Sequence, residues 1–437
     1  MSDQKKLIQY LRNAGHESFM DIQQKSIEGI QSHNNQIVYS KTGSGKTLAF
    51  LFSVLSKIDP SSNDLQALIL APSRELVLQI EDVFRSLKTG YKVTVCYGGH
   101  SVKTEADSLS QAPSVVIGTP GRVCDHIERE NLILSNCSFL VIDEFDKCLE
   151  LGFSDEMRFI CSAISRPKYR MLASATKMDE LPSYLNFQNP HVIDAIVEDE
   201  EINITEYGVE AGEDILLTMS DLIKSFGDEK SIVFCNYREV SEDVSYQLKD
   251  LGVHSVYYHG GLEQDERERA LIKFRNGSSN VLVCTDLGAR GLDIPEINHI
   301  IHYQYPGSEQ AFVHRKGRTA RMASDGNSYL FIGNNQQLPE YIESPTSFYT
   351  PTPTNQELIP AWQTLYFSGG KKDKINKIDI VGFLSKKGGL KQNEIGLITV
   401  QDRSTYVAIK SNKIKHTLSK IKNEKIKGKK LKIAVSK

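Results

Sequence analysis

Short runs of apolar, mostly β-branched residues alternate with amphipathic stretches of helical length, and this alternation occurs twice along the chain. Strands that are apolar throughout and separated by helices are typical of a parallel sheet that is covered on both faces. We predict buried strands at 36–40, 67–71, 93–97, 114–118, 139–143 and 169–173, and again at 231–235, 255–259, 280–285 and 297–303. The sequence therefore predicts two α/β lobes in tandem.

The last part of the chain differs from these lobes in its charge. Residues 364–437 hold 19 Lys and Arg against 5 Asp and Glu, a net charge of +14; because the whole chain carries −3, the remainder carries −17. A segment this basic suits a polyanion such as nucleic acid, and a merely solvated lysine-rich surface is the alternative. Its pattern of four strands and two helices predicts a small α+β, RRM-like fold. The usual aromatic signature of that fold is absent, so we expect little base stacking on its sheet.

We place the first lobe at 1–196, the second at 203–345, a linker rich in Pro and Thr at 346–361 and the basic domain at 362–437. No apolar run approaches the roughly 20 residues needed to cross a bilayer, and the first ten residues lack the apolar core of a signal peptide. We expect a cytoplasmic protein with no membrane contact. The seven cysteines include no C-x-x-C pair, which indicates reduced thiols rather than a zinc site or disulfides.

A glycine-rich turn joins the first predicted strand to an apolar helix. Its sequence, K-T-G-S-G-K-T, is typical of a loop whose backbone N–H groups converge on phosphates. In this pattern Lys46 neutralises the outer phosphates, and the Thr47 hydroxyl is a ligand of Mg²⁺. The candidate nucleotide-binding residues of the loop are Thr42, Gly43, Ser44, Gly45, Lys46 and Thr47. Ser40 stands where the full pattern has its first small residue.

Two adjacent carboxylates, Asp143 and Glu144, leave the apolar strand at 139–142. Phosphoryl transfer needs one acidic group to hold Mg²⁺ and another to orient the attacking water and accept its proton. We assign Asp143 to the metal and Glu144 to the water. The following Phe145 is expected to add bulk beside this site.

With the D-E-F-D sequence at 143–146, the chain resembles the DEAD-box RNA helicases, and the resemblance extends in order over nearly its whole length. It implies two RecA-like lobes, ATP and Mg²⁺ as cofactors, and RNA as the partner. Gln23 is similar to the glutamine that reads adenine, and His16 is expected to replace the aromatic residue that stacks on the base. The resemblance also implies that Asp146, Ser174 and Thr176 couple hydrolysis to strand opening.

The second lobe carries the remaining residues that the family uses for hydrolysis. In the sequence H-R-K-G-R-T-A-R, Arg315, Arg318 and Arg321 are spaced along one side of a predicted helical turn. Family resemblance implies that Arg318 and Arg321 stabilise the γ-phosphate as arginine fingers, while His314 and Arg315 take part in coupling. Asp293 is similar to the acid that meets the nucleotide ribose.

Further motifs resemble the segments with which the family holds the RNA backbone. Each places a helix N-terminus, a glycine turn or an arginine where a strand meets a loop. The implied RNA-binding residues are Pro72, Arg74, Gly98, Gly99, Thr119, Gly121, Arg122, Gln264, Arg267, Thr285 and Gly288.

The basic domain resembles the C-terminal domain of DbpA-type helicases through G-G-K-K-D-K, D-I-V-G-F-L and K-I-K-G-K-K-L-K-I. This resemblance implies binding of a 23S rRNA hairpin during large-subunit assembly, with 23S rRNA or pre-50S particles as partners. Lys371, Lys372 and Lys374 are the expected phosphate contacts, and a monomer is expected.

Three alternatives share parts of this pattern. An ATP-gated RNA clamp would use every motif without useful unwinding. An architectural RNA-binding protein with a decayed ATPase is disfavoured because Lys46, Glu144, Arg318 and Arg321 are all present. DNA as the substrate is less favoured, since the motif set is that of RNA-acting relatives.

Overall fold

A computed structural model describes residues 3–40, 44–99, 101–164, 167–178, 180–196, 204–289, 297–319, 325–333 and 337–436. The described residues divide near residue 200 into two compact units. The first unit contains one sheet. The second contains another sheet of the same kind together with the small C-terminal sheet.

The first unit is built on a parallel sheet whose order among the described residues is β3-β4-β2-β5-β6-β1-β7. Its strands are β1 (Asn35–Ser40), β2 (Ala67–Leu70), β3 (Val93–Cys96), β4 (Val115–Gly118), β5 (Phe139–Ile142), β6 (Tyr169–Ser174) and β7 (His191–Ala195). Its helices are α1 (Asp3–Asn13), α2 (Asp21–Ser32), α3 (Lys46–Leu55), α4 (Arg74–Ser86), α5 (Val102–Leu109), α6 (Pro120–Glu128), α7 (Phe145–Glu150) and α8 (Ser154–Ala163).

Both faces of this sheet are buried. Val38, Ile69 and Val141 belong to one apolar cluster, whereas their strand neighbours Leu68 and Ile142 belong to a second cluster on the other face. Because side chains alternate between the faces of a strand, a sheet covered on both sides needs strands that are apolar throughout. The prediction of a doubly covered parallel sheet is confirmed.

The second unit repeats this architecture with the order β10-β11-β9-β12-β13-β8-β14 among its described residues. Its strands are β8 (Ile204–Glu210), β9 (Ser231–Cys235), β10 (Ser255–Tyr258), β11 (Val281–Thr285), β12 (His299–His302), β13 (Gly326–Ile332) and β14 (Ser347–Phe348). Its helices are α9 (Ile215–Ser225), α10 (Arg238–Asp250), α11 (Gln264–Arg275), α12 (Asp286–Ala289) and α13 (Glu309–Lys316).

The stretch 346–361, predicted to be a linker, lies along the second lobe. Its β14 pairs with β8 at the edge of the sheet. The Thr354 N–H donates to Asp221 Oδ1 at 3.0 Å, and the Leu358 N–H donates to the carbonyl of Gly252 at 2.9 Å. These contacts fix the path of the chain into the C-terminal domain.

The C-terminal domain is an antiparallel sheet with two helices, as the RRM-like pattern predicts. Its order is β16-β17-β15-β18, formed by β15 (Trp362–Phe367), β16 (Ile395–Val400), β17 (Thr405–Lys410) and β18 (Ile433–Val435). The helices α14 (Lys377–Lys386) and α15 (Ile414–Ile421) share a core with one face of the sheet.

Candidate active site and nucleic-acid interface

The glycine-rich turn lies against the glutamine predicted to read adenine. Gly45 has a φ of +86°, and a Cβ on it would lie 2.7 Å from Nε2 of Gln23. Gln23 is 2% exposed, and its Oε1 accepts a hydrogen bond from the N–H of Met20 at 3.0 Å. Glycine is favoured here, because the backbone is left-handed and a Cβ would crowd the neighbouring amide. His16 is exposed, and Thr42 and Gly43 lie outside the described residues.

Lys46, the lysine predicted to bind phosphates, begins helix α3 and is hydrogen-bonded within the glycine-rich turn. The Lys46 amine donates to the carbonyl of Ser40, and the hydroxyls of Ser40 and Ser44 are 2.7 Å apart. The serine that departs from the usual pattern at position 40 is therefore hydrogen-bonded within the turn. Burial lowers the pKa of Lys46, while Asp143, Glu144 and Asp146 act in the opposite direction.

The two predicted catalytic carboxylates, Asp143 and Glu144, directly follow β5 and differ in their surroundings. Asp143 is buried, and its Oδ1 accepts the N–H of Glu144 at 2.9 Å. Burial and then the charge of Glu144 raise the pKa of Asp143 to about 7, against the opposing effect of Lys46. Glu144 has a φ of +45°, a strained conformation of the kind found at functional sites. A buried carboxylate whose pKa stays raised despite the nearby Lys46 fits a divalent cation.

The expectation that Phe145 adds bulk beside this site is wrong. Its ring is buried in the apolar cluster on one face of the first sheet, together with Ile142, Cys148 and Met157. Phe145 begins α7, so its side chain points into the core while the carboxylates occupy the strand end. The departure from the usual D-E-A-D sequence therefore fills the core of the lobe.

The two segments of the first unit that are predicted to take part in coupling are directly hydrogen-bonded. Thr176 Oγ1 donates to Asp146 Oδ2 at 2.9 Å. The Ser174 hydroxyl donates to the carbonyl of Thr176 at 2.7 Å and accepts its N–H at 3.2 Å. This hydrogen bond joins the first turn of α7 to the loop that follows β6.

The predicted RNA contacts of the first unit follow neighbouring strands. Pro72 follows β2, Gly98 and Gly99 follow β3, and Thr119 precedes α6 directly after β4. Since the carboxyl ends of parallel strands share one edge, these residues lie along a single edge of the sheet. Gly121 lies in the first turn of α6, and the Arg74 guanidinium lies 4.5 Å from the centre of the Tyr97 ring.

In the second unit, the candidate RNA contacts also follow adjacent strands, β10 and β11. Gln264 and Arg267 lie in the first turn of α11, and Arg267 Nη2 is 3.1 Å from the Tyr258 hydroxyl. Thr285 ends β11, and its Oγ1 accepts the N–H of Gly288 at 3.1 Å. A Cβ on Gly288 would lie 2.8 Å from the carbonyl of Tyr258, so glycine is required for close packing.

The spacing predicted that the arginines of this motif lie along one side of a helical turn, but Arg315 and Arg318 do not belong to the same helix. Helix α13 ends at Lys316, which leaves Arg318 in the following turn, and Arg321 lies outside the described residues, as does Asp293. Arg315 is fully buried, and His314 is partly buried beside it. The arginine that opens the motif is therefore a buried structural residue in this arrangement.

The three lysines predicted to contact phosphates in the C-terminal domain lie in a short exposed turn. Lys371 and Lys372 lie in a 3₁₀ turn, and Lys374 follows it with a φ of +62°. Lys372 Nζ is 3.2 Å from Asp402 Oδ2, and the Lys427 amine donates to the carbonyl of Lys374 at 2.7 Å. The turn therefore presents several ammonium groups close together.

Family models match three successive parts of the chain. The DEAD/DEAH box helicase model matches residues 20–182, the helicase conserved C-terminal domain matches 214–323, and the DbpA RNA binding domain matches 364–435. ATP-dependent RNA helicase DbpA of Bacillus subtilis is 31% identical, over 98% of this chain and 96% of its own length. DbpA of Escherichia coli is 30% identical, over 96% and 94%.

The chain belongs to the DEAD-box ATP-dependent RNA helicases of the DbpA type. Solved structures of the same family share its two-lobed fold. S. cerevisiae Dbp5 bound to RNA and ADP BeF3 has a TM-score of 0.67 at 25% identity, covering 76% of this chain and 88% of Dbp5. Mss116p bound to ssRNA and AMP-PNP has a TM-score of 0.66 at 26% identity, covering 75% and 72%. Among the described residues, no helix is long and apolar enough to cross a bilayer.

Sequence reasoning missed two acidic residues that hold arginines of this helicase. Asp286 takes Arg315 in a two-point ion pair, with Nε–Oδ1 and Nη2–Oδ2 distances of 2.6 Å. Arg315 also donates to the carbonyl of Gln304 at 2.7 Å and to Asn236 Oδ1 at 2.8 Å. Asp286 directly follows β11, in the T-D-L-G segment, and this position was the one signal in the sequence that could have pointed to it.

The second missed residue is Glu105, which is buried on α5. Its carboxylate accepts hydrogen bonds from Arg122 Nη1 at 3.0 Å and the Tyr97 N–H at 3.1 Å, and lies 2.8 Å from His126 Nε2. Arg122, which was predicted to contact RNA, is held by this buried carboxylate, and its side chain is only 13% exposed. Glu105, His126 and Cys96 lie close enough to surround a cation, but Arg122 already supplies the positive charge that this carboxylate needs.

Proposed function

We propose that the protein couples ATP hydrolysis to local, non-processive separation of short RNA duplexes. We further propose that its C-terminal domain directs it to a hairpin of 23S rRNA during assembly of the large ribosomal subunit. The observation that carries the first part is the 2.9 Å hydrogen bond from Thr176 to Asp146, next to the catalytic carboxylates. Through this bond, a change at the nucleotide reaches the segment that the family uses to open strands.

In the proposed mechanism, the first lobe holds the triphosphate and prepares the nucleophile. Backbone N–H groups of the glycine-rich turn and the Lys46 ammonium hold the phosphates, and Glu144 orients a water and accepts its proton as the water attacks the γ-phosphate. Thr47 and Asp143 would hold Mg²⁺, which supplies charge neutralisation on the phosphate oxygens.

The second lobe supplies the residues that make hydrolysis conditional. Arg318 and Arg321 would stabilise the charge of the transferring phosphoryl group, an effect worth on the order of 10³–10⁵ in rate. Because these arginines belong to a different lobe from Lys46, ATP and RNA each favour the same productive arrangement of the lobes. Binding of either then strengthens binding of the other, since linkage is reciprocal.

The targeting part of the proposal rests on the charge and family of the C-terminal domain. Residues 364–437 carry a net charge of +14, and a basic module of this kind binds through phosphates with a strong dependence on salt. The relatives from B. subtilis and E. coli match this chain over nearly their whole lengths, including its basic C-terminal domain. We propose that the protein acts as a cytoplasmic monomer on 23S rRNA or pre-50S particles.

The experiment is a comparison of ATPase activity with poly-uridine, bulk ribosomal RNA and a large-subunit hairpin fragment, for the full chain and for residues 1–361. We expect the hairpin to stimulate the full chain best, and this preference to disappear in the shortened chain. Equal stimulation by all three RNAs in the full chain would remove the targeting part of the proposal.

A second assay tests the motor itself. Glu144→Gln should bind ATP and RNA together without turnover, and the unchanged chain should separate a duplex of about ten base pairs. Normal turnover by the variant would contradict the role of Glu144. Strong ATP-dependent RNA binding without strand separation would instead favour an RNA clamp.

A further inference from the structure

The outer face of the C-terminal sheet carries two aromatic residues that the sequence pattern did not reveal. Leu365, Phe367 and Val407 point into the core of the domain, so their strand neighbours Tyr366 and Tyr406 point outward. These two tyrosines are paired in register on β15 and β17, with ring centres 5.5 Å apart. In four-stranded RNA-binding sheets, this is the place where bases stack.

In this protein, the second lobe covers that face. Thr364, on the same face of β15, is 2% exposed; its hydroxyl accepts from Asn276 Nδ2 at 3.0 Å and lies 2.6 Å from Ser278 Oγ. Tyr406 is 8% exposed. Burial raises its pKa, and the charges of Arg269 and Glu268 on α11 are among those that act on its hydroxyl. The centre of the sheet is therefore a contact surface for α11 and the turn that follows it.

One carboxylate joins this contact to the candidate RNA site of the second lobe. Glu268 Oε1 accepts a hydrogen bond from Gln264 Nε2 at 3.1 Å, and Glu268 Oε2 accepts one from Gln401 Nε2 at 2.5 Å. Gln264 belongs to the segment predicted to hold RNA, whereas Gln401 belongs to the C-terminal domain. Glu268 thus bridges the two domains with both of its oxygens.

Gln401 in turn fixes the turn that carries the candidate phosphate-binding lysines. Its carbonyl accepts the N–H of Lys371 at 2.8 Å, and its Oε1 accepts the Ser404 hydroxyl at 2.7 Å. A Cβ on Gly370 would lie 2.1 Å from the Gln401 carbonyl, so the turn is packed directly on this residue. The hydrogen bonds therefore run without interruption from Gln264 through Glu268 and Gln401 to Lys371.

We propose that Glu268 is a positioning residue that holds the lysine turn of the C-terminal domain at a fixed place relative to the RNA-binding end of α11, an inference that rests on the proposed function. An RNA that reaches both places binds the second one as an intramolecular event, at an effective concentration set by this fixed geometry. The outer sheet face serves as the domain contact, and bases do not stack on it.

The test exploits the direction of the hydrogen bond between Glu268 and Gln401. Glu268→Gln replaces the charged acceptor of the Gln401 amide by a neutral one and so weakens the bond, whereas Gln401→Glu places two carboxylates against each other. In the double variant, the amide at 268 donates to the carboxylate at 401, while Gln264 and the Ser404 hydroxyl keep their acceptors. The swap therefore restores the bond with the net charge unchanged.

All variants are prepared in the full chain, and their RNA-stimulated ATPase is measured with two RNAs. One is poly-uridine, and the other is a large-subunit rRNA hairpin joined to a single-stranded extension. We expect each single variant to raise the apparent KM for the joined RNA by about 3- to 10-fold, the size of one hydrogen bond. The kcat values and the KM for poly-uridine should stay within about twofold, and the swap should restore the KM for the joined RNA. Gln247→Ala, which removes the 2.7 Å bond from Gln247 to Asp243 on the surface of the same unit, is the matched control and should change neither KM.

A double variant that is no better than the sum of the two single variants would overturn the role of Glu268, since the pair would then be energetically independent. A rise in the KM for poly-uridine as large as that for the joined RNA would also overturn it. If the unchanged chain were not stimulated by either RNA, the proposed function would fail together with this inference.

Discussion

Replacing Asp286 should destabilise the second unit strongly, because it would leave the guanidinium of Arg315 buried without its counter-charge. Removal of one partner of a buried ion pair costs about 3–5 kcal/mol. Asp286 is 29% exposed and Arg315 is fully buried, so we expect Asp286→Ala to lower the free energy of unfolding by about 3 kcal/mol, at the low end of that range. Asp286→Asn keeps one acceptor oxygen and should cost roughly half as much.

Urea unfolding followed by tryptophan fluorescence measures this change in the relevant unit. Trp362 is the only tryptophan in the chain, and a Cβ on Gly277 of the second lobe would lie 3.4 Å from its ring. For a slope of about 2–3 kcal/mol per molar urea, the midpoint should fall by about 1–1.5 M.

Asp265→Ala is the matched control, because Asp265 also lies in the first turn of a helix in the same unit and is exposed. Loss of its interaction with the helix dipole should cost less than about 1 kcal/mol. If Asp286→Ala lowered the midpoint no more than this control, the ion pair would not be what holds Arg315.

The other predictions concern the first unit. Thr176→Val removes the hydroxyl that donates to Asp146, so the rate of strand separation should fall at least about tenfold while the RNA-stimulated ATPase activity persists. Loss of strand separation and of ATPase activity together would contradict the coupling role. Gly45→Ala adds a Cβ 2.7 Å from Gln23 in a left-handed conformation and should weaken ATP binding at least about tenfold in a titration; unchanged affinity would contradict the packing argument. The pKa of Asp143, about 7, lies well above the ordinary value of 3.8, so ionisation of Asp143 destabilises the folded first unit. In the absence of Mg²⁺ and nucleotide, we therefore expect Asp143→Asn to stabilise this unit at pH 8 by up to about 4 kcal/mol. This gain should shrink as the pH falls from 8 to 5, and a thermal-unfolding gain independent of pH would contradict it.

Much of the architecture follows from local sequence. A strand buried on both faces, such as Leu68–Leu70, cannot be confused with one that has a solvated face. Strand order then brings Lys46 and Asp143 to one edge, because both follow parallel strands of the same sheet. The glycine-rich turn and the adjacent carboxylates can therefore be assigned from the amino-acid sequence alone.

The interactions that sequence reasoning missed depend on pairing between distant residues. Asp286 and Arg315 are 29 positions apart, and Glu105 and Arg122 are 17 apart. Nothing in the local pattern marks a carboxylate as the partner of a particular arginine. The helical spacing of the arginines was misleading for a related reason, since α13 ends before Arg318.

The contact between the C-terminal sheet and α11 was also beyond local reasoning. A strand of alternating character predicts one face for the core, but it does not say what covers the other face. The hydroxyl of Thr364 and the ring of Tyr406 are buried by residues far away in sequence.

Hydrolysis is proposed to need residues from both halves of the chain, and one measurement tests this most directly. The RNA-stimulated kcat is compared for the full chain, for Arg318→Ala in the full chain and for a fragment of residues 1–200. The account predicts that both altered proteins still bind ATP but turn over at least about 10³-fold more slowly. A fragment that hydrolysed ATP as fast as the full chain would contradict the account.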